Sequence, residues 1–321
     1  MQQNINKEQK NMDFDHLGIQ RGDSIKLKIT NFSETKKDSF PLEIFRRILN
    51  VALYTPRYFV RKNRKEYINN FYNNHKENID DILKIVSDDI SRDVIKTQIN
   101  FIRNYDYSGH LNYLKNNNLL EKHTSLVNHD EYFPEGIIKL TEDEKFVDGG
   151  GFNGDTVREF VKRSNNKFDH IFSFEPDKNN YNDLLAEVKS LDLKENKVTC
   201  YSKGLYSTNK KLSFIQKGIG SSISENGNES IEVVSLDSFL SESEKNKITY
   251  IKLDVEGAEL EALKGMIKTI IQNKPKLAIC VYHQMKDFWE IPYFIESLNL
   301  GYKIYFRQHC LGRTDTICYA V

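Results

Sequence analysis

The chain lacks most of what would tie it to a disulfide scaffold, a membrane or a nucleic acid. Its 321 residues include four cysteines. Cys200, Cys280, Cys310 and Cys318 are scattered, with no C-x-x-C pair, and each sits in an apolar or strand-like stretch. That pattern argues against disulfides and zinc knuckles and for buried, reduced thiols in a cytoplasmic protein. There is no charge excess: 46 Lys and Arg face 46 Asp and Glu. No basic field covers the surface, and no Asn/Asp-Pro-Pro-aromatic motif is present to handle a flipped base, so a nucleic-acid substrate is disfavoured. No apolar run approaches a membrane span, and the opening "MQQNINKEQKNMDFDH" has no signal-peptide core. Internal repeats and low-complexity segments are absent too. What remains, 39% hydrophobic and 29% charged residues, is a soluble globular composition with a length prior of about two domains.

Two grammars divide the chain. Residues 1–140 read as a mainly helical region. Its first thirty or so residues are expected to be poorly ordered, apart from a short strand at "SIKLKI". "PLEIFRRILNVALYTPRYFVRKNRK" carries Ile44, Phe45, Ile48, Leu49, Ala52 and Leu53 at helical spacing, with a basic opposite face. It is read as a docked or dimerising amphipathic helix, a route to a homo-oligomer. Asp88 or Ser91 is placed to cap a further helix. Residues 141–321 instead alternate short apolar strands with amphipathic helices, which implies a mostly parallel, doubly wound α/β sheet covered on both faces. "YKIYFRQH" and "TDTICYAV" leave no room for a crossover helix, so the C-terminal strand must run antiparallel.

In such a sheet, ligands bind beyond the carboxyl ends of the strands. The first strand ends in "VDGGGFNGDT", residues 147–156. Its glycines fit G-x-G-x-x-G, a spacing that also suits a dinucleotide pyrophosphate. Asp148 and Asp155 flank them, however, and carboxylates repel phosphate while favouring a cation. S-adenosyl-L-methionine has no phosphate and carries an ammonium and a sulfonium, so the acids favour it. Asp155 and Thr156 open the next helix, where Asp155 also serves as a plain cap. Glu175-Pro176 ends the second strand, where an acid is placed to hold ribose hydroxyls. "YIKLDVEGAELEALKG" then brings Lys252, Asp254 and Glu256 to one strand end and Glu259 to the following helix, and "VYH" brings His283 to the next. A sugar hydroxyl is a poor nucleophile and needs a base beside the methyl donor. Either His283, oriented by Asp254 or Glu256, or Asp254 itself can fill that role. The same cluster has the residue types for a divalent metal, but no compact ligand motif is present and a metal-free site is expected.

Together, "FVDGGGFNGDT", "FSFEPD", "VVSLDSFL", "IKLDVEGAELEALKG" and "VYH" resemble the successive motifs of the FkbM-type methyltransferases. The resemblance covers roughly residues 130–321. It implies the class I methyltransferase fold and S-adenosyl-L-methionine-dependent O-methylation, with S-adenosyl-L-homocysteine as product. It further implies that Gly150, Asn153 and Gly154 shape the methionine end, that Glu175 binds ribose, and that Asp237 of "SLDSF" lies near the adenine. Family members act mostly on hydroxyls of sugars, glycans and polyketides. The acceptor expected here is a sugar or nucleotide-activated sugar of capsule or surface-polysaccharide synthesis, with Arg307 and Lys178 available to a diphosphate. Two rivals stand beside this reading. An NAD(P)-dependent oxidoreductase accounts for the glycines and Glu175 but not for Asp148 and Asp155. A non-catalytic cofactor-binding module leaves Asp254, Glu256 and His283 without a purpose.

Overall fold

From Lys145 onward, short apolar-rich stretches alternate with amphipathic ones. The computed structural model shows what this repeating unit builds. It describes residues 64–104, 106–116, 131–191, 193, 196–215, 222–223, 229–310, 312 and 314–321. The chain divides into two units, Met1–Phe71 and Tyr72–Val321. Of the first, only the start of a helix, Arg64–Asn74, is described. The expected strand at "SIKLKI", the basic helix after Pro41 and its suggested dimer contact lie outside the described residues.

The strands of the second unit are β1 (Lys145–Gly149), β2 (His170–Phe174), β3 (Val198–Tyr201), β4 (Gly204–Leu205), β5 (Lys210–Ile215), β6 (Ser222–Ile223), β7 (Glu229–Val234), β8 (Tyr250–Leu253), β9 (Lys276–Cys280), β10 (Ile304–Gln308) and β11 (Thr316–Ala320). Seven form the main sheet in the order β10-β11-β9-β8-β1-β2-β3. All are parallel except β11, which lies antiparallel between β9 and β10. This is the doubly wound sheet with one antiparallel C-terminal strand that the alternation predicts. A smaller sheet, β4-β7-β5-β6, is inserted after β3.

Helices on both faces bury the central strands, so every residue of β8 and β11 is buried. Phe146 on β1 stacks between Tyr250 on β8, at 4.9 Å, and Phe160 on the helix Asp155–Arg163, at 4.7 Å. Side-chain pairs of this kind fix the strand register, because a one-residue slip would turn both faces inside out.

The helix Lys76–Ile85 packs on the helix Asp287–Ser297, and Asp89–Asn104 packs on the edge strand β10. Asp88 does cap the latter: its Oδ1 accepts the Ser91 N–H at 2.8 Å. Arg307, on β10, donates to both Asp88 oxygens, at 3.2 and 2.6 Å. Its guanidinium is therefore committed to holding a helix on the sheet, and the diphosphate role offered for it in the sequence does not follow. No helix among the described residues is long and apolar enough to cross a membrane.

Candidate functional site

The strand order reverses direction between β1 and β8, and the crevice beyond their carboxyl ends is where a doubly wound sheet binds ligands. Asp148 and Lys252 are register partners across this junction. Both are buried, and Lys252 Nζ lies 3.0 Å from Asp148 Oδ1. Ser173 Oγ, from β2, donates to the other Asp148 oxygen at 2.7 Å. Lys252 also donates to the Gly150 carbonyl at 2.6 Å and lies 5.0 Å from the Tyr132 ring centroid. Burial opposes its charge, but Asp148 and then Asp254 outweigh burial and raise its pKa. Each Asp148 oxygen thus already has a donor inside the protein. Whatever it does toward a ligand, Asp148 anchors the loop, with its charge offset by Lys252.

That loop runs against the ends of both neighbouring strands. The N–H groups of Gly150 and Gly151 donate to the Phe174 carbonyl at 2.9 and 3.0 Å. Gly150 has φ +81°, and a Cβ there would stand 1.8 Å from the Asp254 carbonyl oxygen. Only glycine permits this approach. Gly154, at φ +85°, packs on Glu187 as the helix Asp155–Arg163 begins. Asn153 is exposed, and its Oδ1 accepts the Asp155 N–H at 3.2 Å. Asp155 Oδ1 accepts the N–H of Thr156 at 2.7 Å, the local helix-start role that competed with ligand contact in the sequence. Thr156 is buried.

Glu175 follows β2 beside this loop. Its oxygens accept the N–H groups of Phe152, at 2.9 Å, and Asp177, at 2.8 Å. Burial nonetheless pushes its carboxyl up to about 7, against the pull of those two amides. Pro176, next in the chain, is half-buried and packs near Gly204. Asp237, expected near the adenine, has its carboxylate on a helix start. Its Oδ1 accepts from the Thr269 N–H and hydroxyl and its Oδ2 from the Lys268 N–H, so it caps the helix Ile267–Asn273. From the same "SLDSF" segment it is Phe239 that reaches the ends of β2 and β3. Its ring meets Tyr201 edge-on at 5.0 Å and Phe174 at 6.0 Å.

The remaining predicted residues do converge. After β8 the chain turns through Glu256 (φ +55°) and Gly257 (φ +96°). A non-glycine residue held left-handed costs backbone energy, so the surrounding structure must hold this turn in place. His283, beyond β9, places Nε2 3.5 Å from Asp254 Oδ1 and 3.4 Å from Glu256 Oε2. Its Nδ1 faces Glu259 Oε1 at 2.9 Å. Burial alone would lower its pKa, but Glu259 first, then Asp254 and Glu256, raise it to about 10. Asp254 accepts the hydroxyls of Tyr132, at 2.9 Å, and Tyr282, at 3.1 Å. Burial works against its charge, yet His283, Lys252 and these hydroxyls hold its carboxyl below the usual range. Asp287, the first residue of the helix beyond His283, is pushed up to about 7 by burial and then by Glu259.

Tyr132, Ser173 and Tyr282 carry no role in the sequence reading. Tyr282 belongs to the "VYH" segment and Tyr132 to "EYFPEG", so both lie inside recognisable motifs, but neither spacing reveals that they share Asp254. The crevice therefore joins a pressed glycine loop, a buried acid beside it, and a carboxylate–histidine cluster whose backbone touches the loop.

A family model for the methyltransferase FkbM domain matches residues 148–304. Among solved structures, methyltransferase FkbM from Methylobacillus flagellatus aligns with a TM-score of 0.65 at 23% identity, over 78% of this chain and 60% of that one. The chain thus spans about three-fifths of that protein's length. An rRNA methylase from Streptococcus thermophilus aligns with a TM-score of 0.35 at 14% identity, covering 60% of this chain and 91% of that one. Fibrillarin from Aeropyrum pernix, with natively bound S-adenosyl-L-methionine, aligns with a TM-score of 0.33 at 12% identity, covering 60% and 73% respectively. Among curated proteins, none matches the chain significantly.

Proposed function

From the match of the methyltransferase FkbM family model to residues 148–304, we propose that the chain is an O-methyltransferase that uses S-adenosyl-L-methionine and acts on a sugar hydroxyl. A nucleotide-activated sugar or glycan of surface-polysaccharide synthesis is the expected acceptor class. The observation that carries this reading is the contact of the glycine loop with the acid cluster, where the Asp254 backbone abuts Gly150. That contact brings the cofactor-type turn and the candidate proton acceptors to one crevice.

The residues fit the cofactor. Gly150 and Gly154 let backbone approach where a Cβ would collide. Glu175, with Pro176 beside it, is the acid for ribose hydroxyls, already buried and oriented by two amides. Asn153, Asp155 and Thr156 shape the turn at the methionine end. Phe239 and Tyr201, rather than Asp237, form the apolar side available to the adenine. S-adenosyl-L-methionine, when bound, supplies an electrophilic methyl group on a sulfonium. The negative charge that a sulfonium and ammonium favour comes from Asp254 and Glu256, since Asp148 is offset by Lys252.

Asp254, Glu256 and His283 then handle the acceptor's proton. Three carboxylates around the imidazole favour its charged form, so in the ligand-free protein His283 holds a proton instead of accepting one. That moves the base role towards the carboxylates. Tyr132 and Tyr282 orient Asp254, and Glu256 has the more open side chain, at 40% exposure against 25%.

Calorimetry with S-adenosyl-L-homocysteine and with NAD tests the cofactor assignment, and a screen of nucleotide sugars with labelled cofactor tests the acceptor. Binding of the homocysteine product with none of NAD is expected. Binding of NAD alone would overturn the assignment.

A further inference from the structure

We infer that Asp254, Glu259 and His283 form a binding site for one divalent cation of the Mg2+ or Mn2+ class, open on the side where an acceptor oxygen would enter. This deepens the methyl-transfer reading and rests on it for the identity of that oxygen. Among the described residues these three make one metal-capable group, each offering one donor atom, with the donor atoms all within 4.8 Å of one another. On an octahedral ion with bonds of about 2.1 Å, neighbouring donors stand about 3 Å apart and opposed donors about 4.2 Å. The three donors thus lie close enough to converge on one ion after an inward closure. Two carboxylates and an imidazole suit a hard or borderline divalent ion rather than a thiophilic one.

Glu259 supplies an independent observation. It is 1% exposed, so its carboxylate has left water. Its Oε1 accepts the N–H groups of Val255 and Gly257, at 2.9 and 3.3 Å, and faces His283. Its Oε2 is buried and has no hydrogen-bond partner among the described residues. A buried carboxylate oxygen without a donor is costly unless something positive meets it. Lys252, the nearest lysine in the strand, is committed to Asp148 and the Gly150 carbonyl. Asp254, Glu256 and Glu259 all crowd a single imidazole, so the cluster is short of positive charge.

The surroundings have the form of a metal site's outer support. Tyr132 and Tyr282 donate to the two Asp254 oxygens, as partners that orient a ligand do. Binding displaces to solvent the proton that His283 holds in the ligand-free protein, three protein donors leave coordination positions open, and a hydroxyl bound there is acidified by the ion. Its O–H bond breaks with the proton passing to Glu256, which stands 3.4 Å from His283 Nε2 without being needed as a ligand. The cation thus supplies the activation that a lone carboxylate base gives poorly.

Mn2+ alone, titrated into the full chain and followed by the loss of its free EPR signal, tests the site. Binding of one Mn2+ per chain is expected, displaced by excess Mg2+, and Asp254→Asn and His283→Gln should each weaken it about tenfold or more. Bound Mn2+ should also broaden the His283 ring resonances in the unaltered protein, a readout that does not depend on a variant folding. Absence of binding, binding unchanged in both variants, or binding that leaves the His283 ring sharp would overturn the inference. Calorimetry with S-adenosyl-L-homocysteine on the same sample separates the two readings. Product binding without Mn2+ binding removes the cation site alone, whereas lack of product binding removes the methyl-transfer reading.

Discussion

Lys252→Met isolates the pair beneath the glycine loop. The substitution keeps most of the stem volume and removes the ammonium, so packing changes little. It leaves Asp148 with no exposure and no counter-charge, and it strips the Gly150 carbonyl of a donor at 2.6 Å. Breaking a buried ion pair from one side costs about 3–5 kcal/mol. The orphaned carbonyl adds about 1 kcal/mol or more, while Ser173 still donates to Asp148 and offsets part of the loss. A net destabilisation of about 4 kcal/mol is expected. Urea unfolding followed through Trp289, the sole tryptophan and a buried one, measures it directly. Asp148→Asn leaves the converse orphan, a buried ammonium. The double variant Asp148→Asn, Lys252→Met should therefore lose less than the two single losses combined, by about 2 kcal/mol or more. Strict additivity, or a Lys252→Met loss below about 1 kcal/mol, would refute the claim that this pair holds the loop.

Gly150→Ala and Gly136→Ala share a φ of +81°, but only the former would drive a Cβ into backbone. Urea midpoints should show a cost of about 1 kcal/mol at Gly136 and several times that at Gly150. For Glu175, the folded-state carboxyl titrates at about 7 against an ordinary value of 4.5. The folded protein keeps a proton that the unfolded chain has lost, so this group's contribution is greatest below pH 4.5. It declines as pH rises to 7 and is flat above. Relative to the unaltered protein, Glu175→Gln should gain about 3 kcal/mol between those limits in pH-resolved urea melts, and it should weaken S-adenosyl-L-homocysteine binding in calorimetry. Arg307→Lys keeps the charge but loses the two-pronged grip on Asp88. Amide exchange in Asp89–Asn104 should quicken, by an amount equivalent to about 1–2 kcal/mol.

The sheet was legible because its signal is local. Short apolar stretches alternate with amphipathic ones, and the close of "YKIYFRQH" before "TDTICYAV" leaves β11 no direction but antiparallel. The convergence of Asp254, Glu256 and His283 was legible for the same reason: adjacent parallel strands must end side by side. What stayed hidden depends on register and on loops. Nothing near Asp148 announces that its partner is Lys252, 104 positions later, because cross-strand pairing is set by the whole sheet. Tyr132 comes to Asp254 from an irregular segment ahead of β1. Asp237 illustrates the converse. Its motif position suggested a ligand, while its carboxylate is spent on three donors at a helix start, a use that single-residue chemistry does not distinguish.

The outer border of the main sheet has a consequence for how the polypeptide can be cut. Among the described residues, strand β10 has a sheet neighbour on one side only. On its other side the Phe306 amide donates to the Ser91 hydroxyl and the Ile304 carbonyl accepts from Ser87. Side chains and a loop from the preceding helices thus blunt a strand that would otherwise offer its backbone to any passing chain. A fragment begun after those helices, at about residue 130, would bare that border and invite strangers to pair with it. The helices before β1 therefore guard solubility, whatever else they do, and the segment that carries the chemistry is smaller than the segment that can safely be made alone.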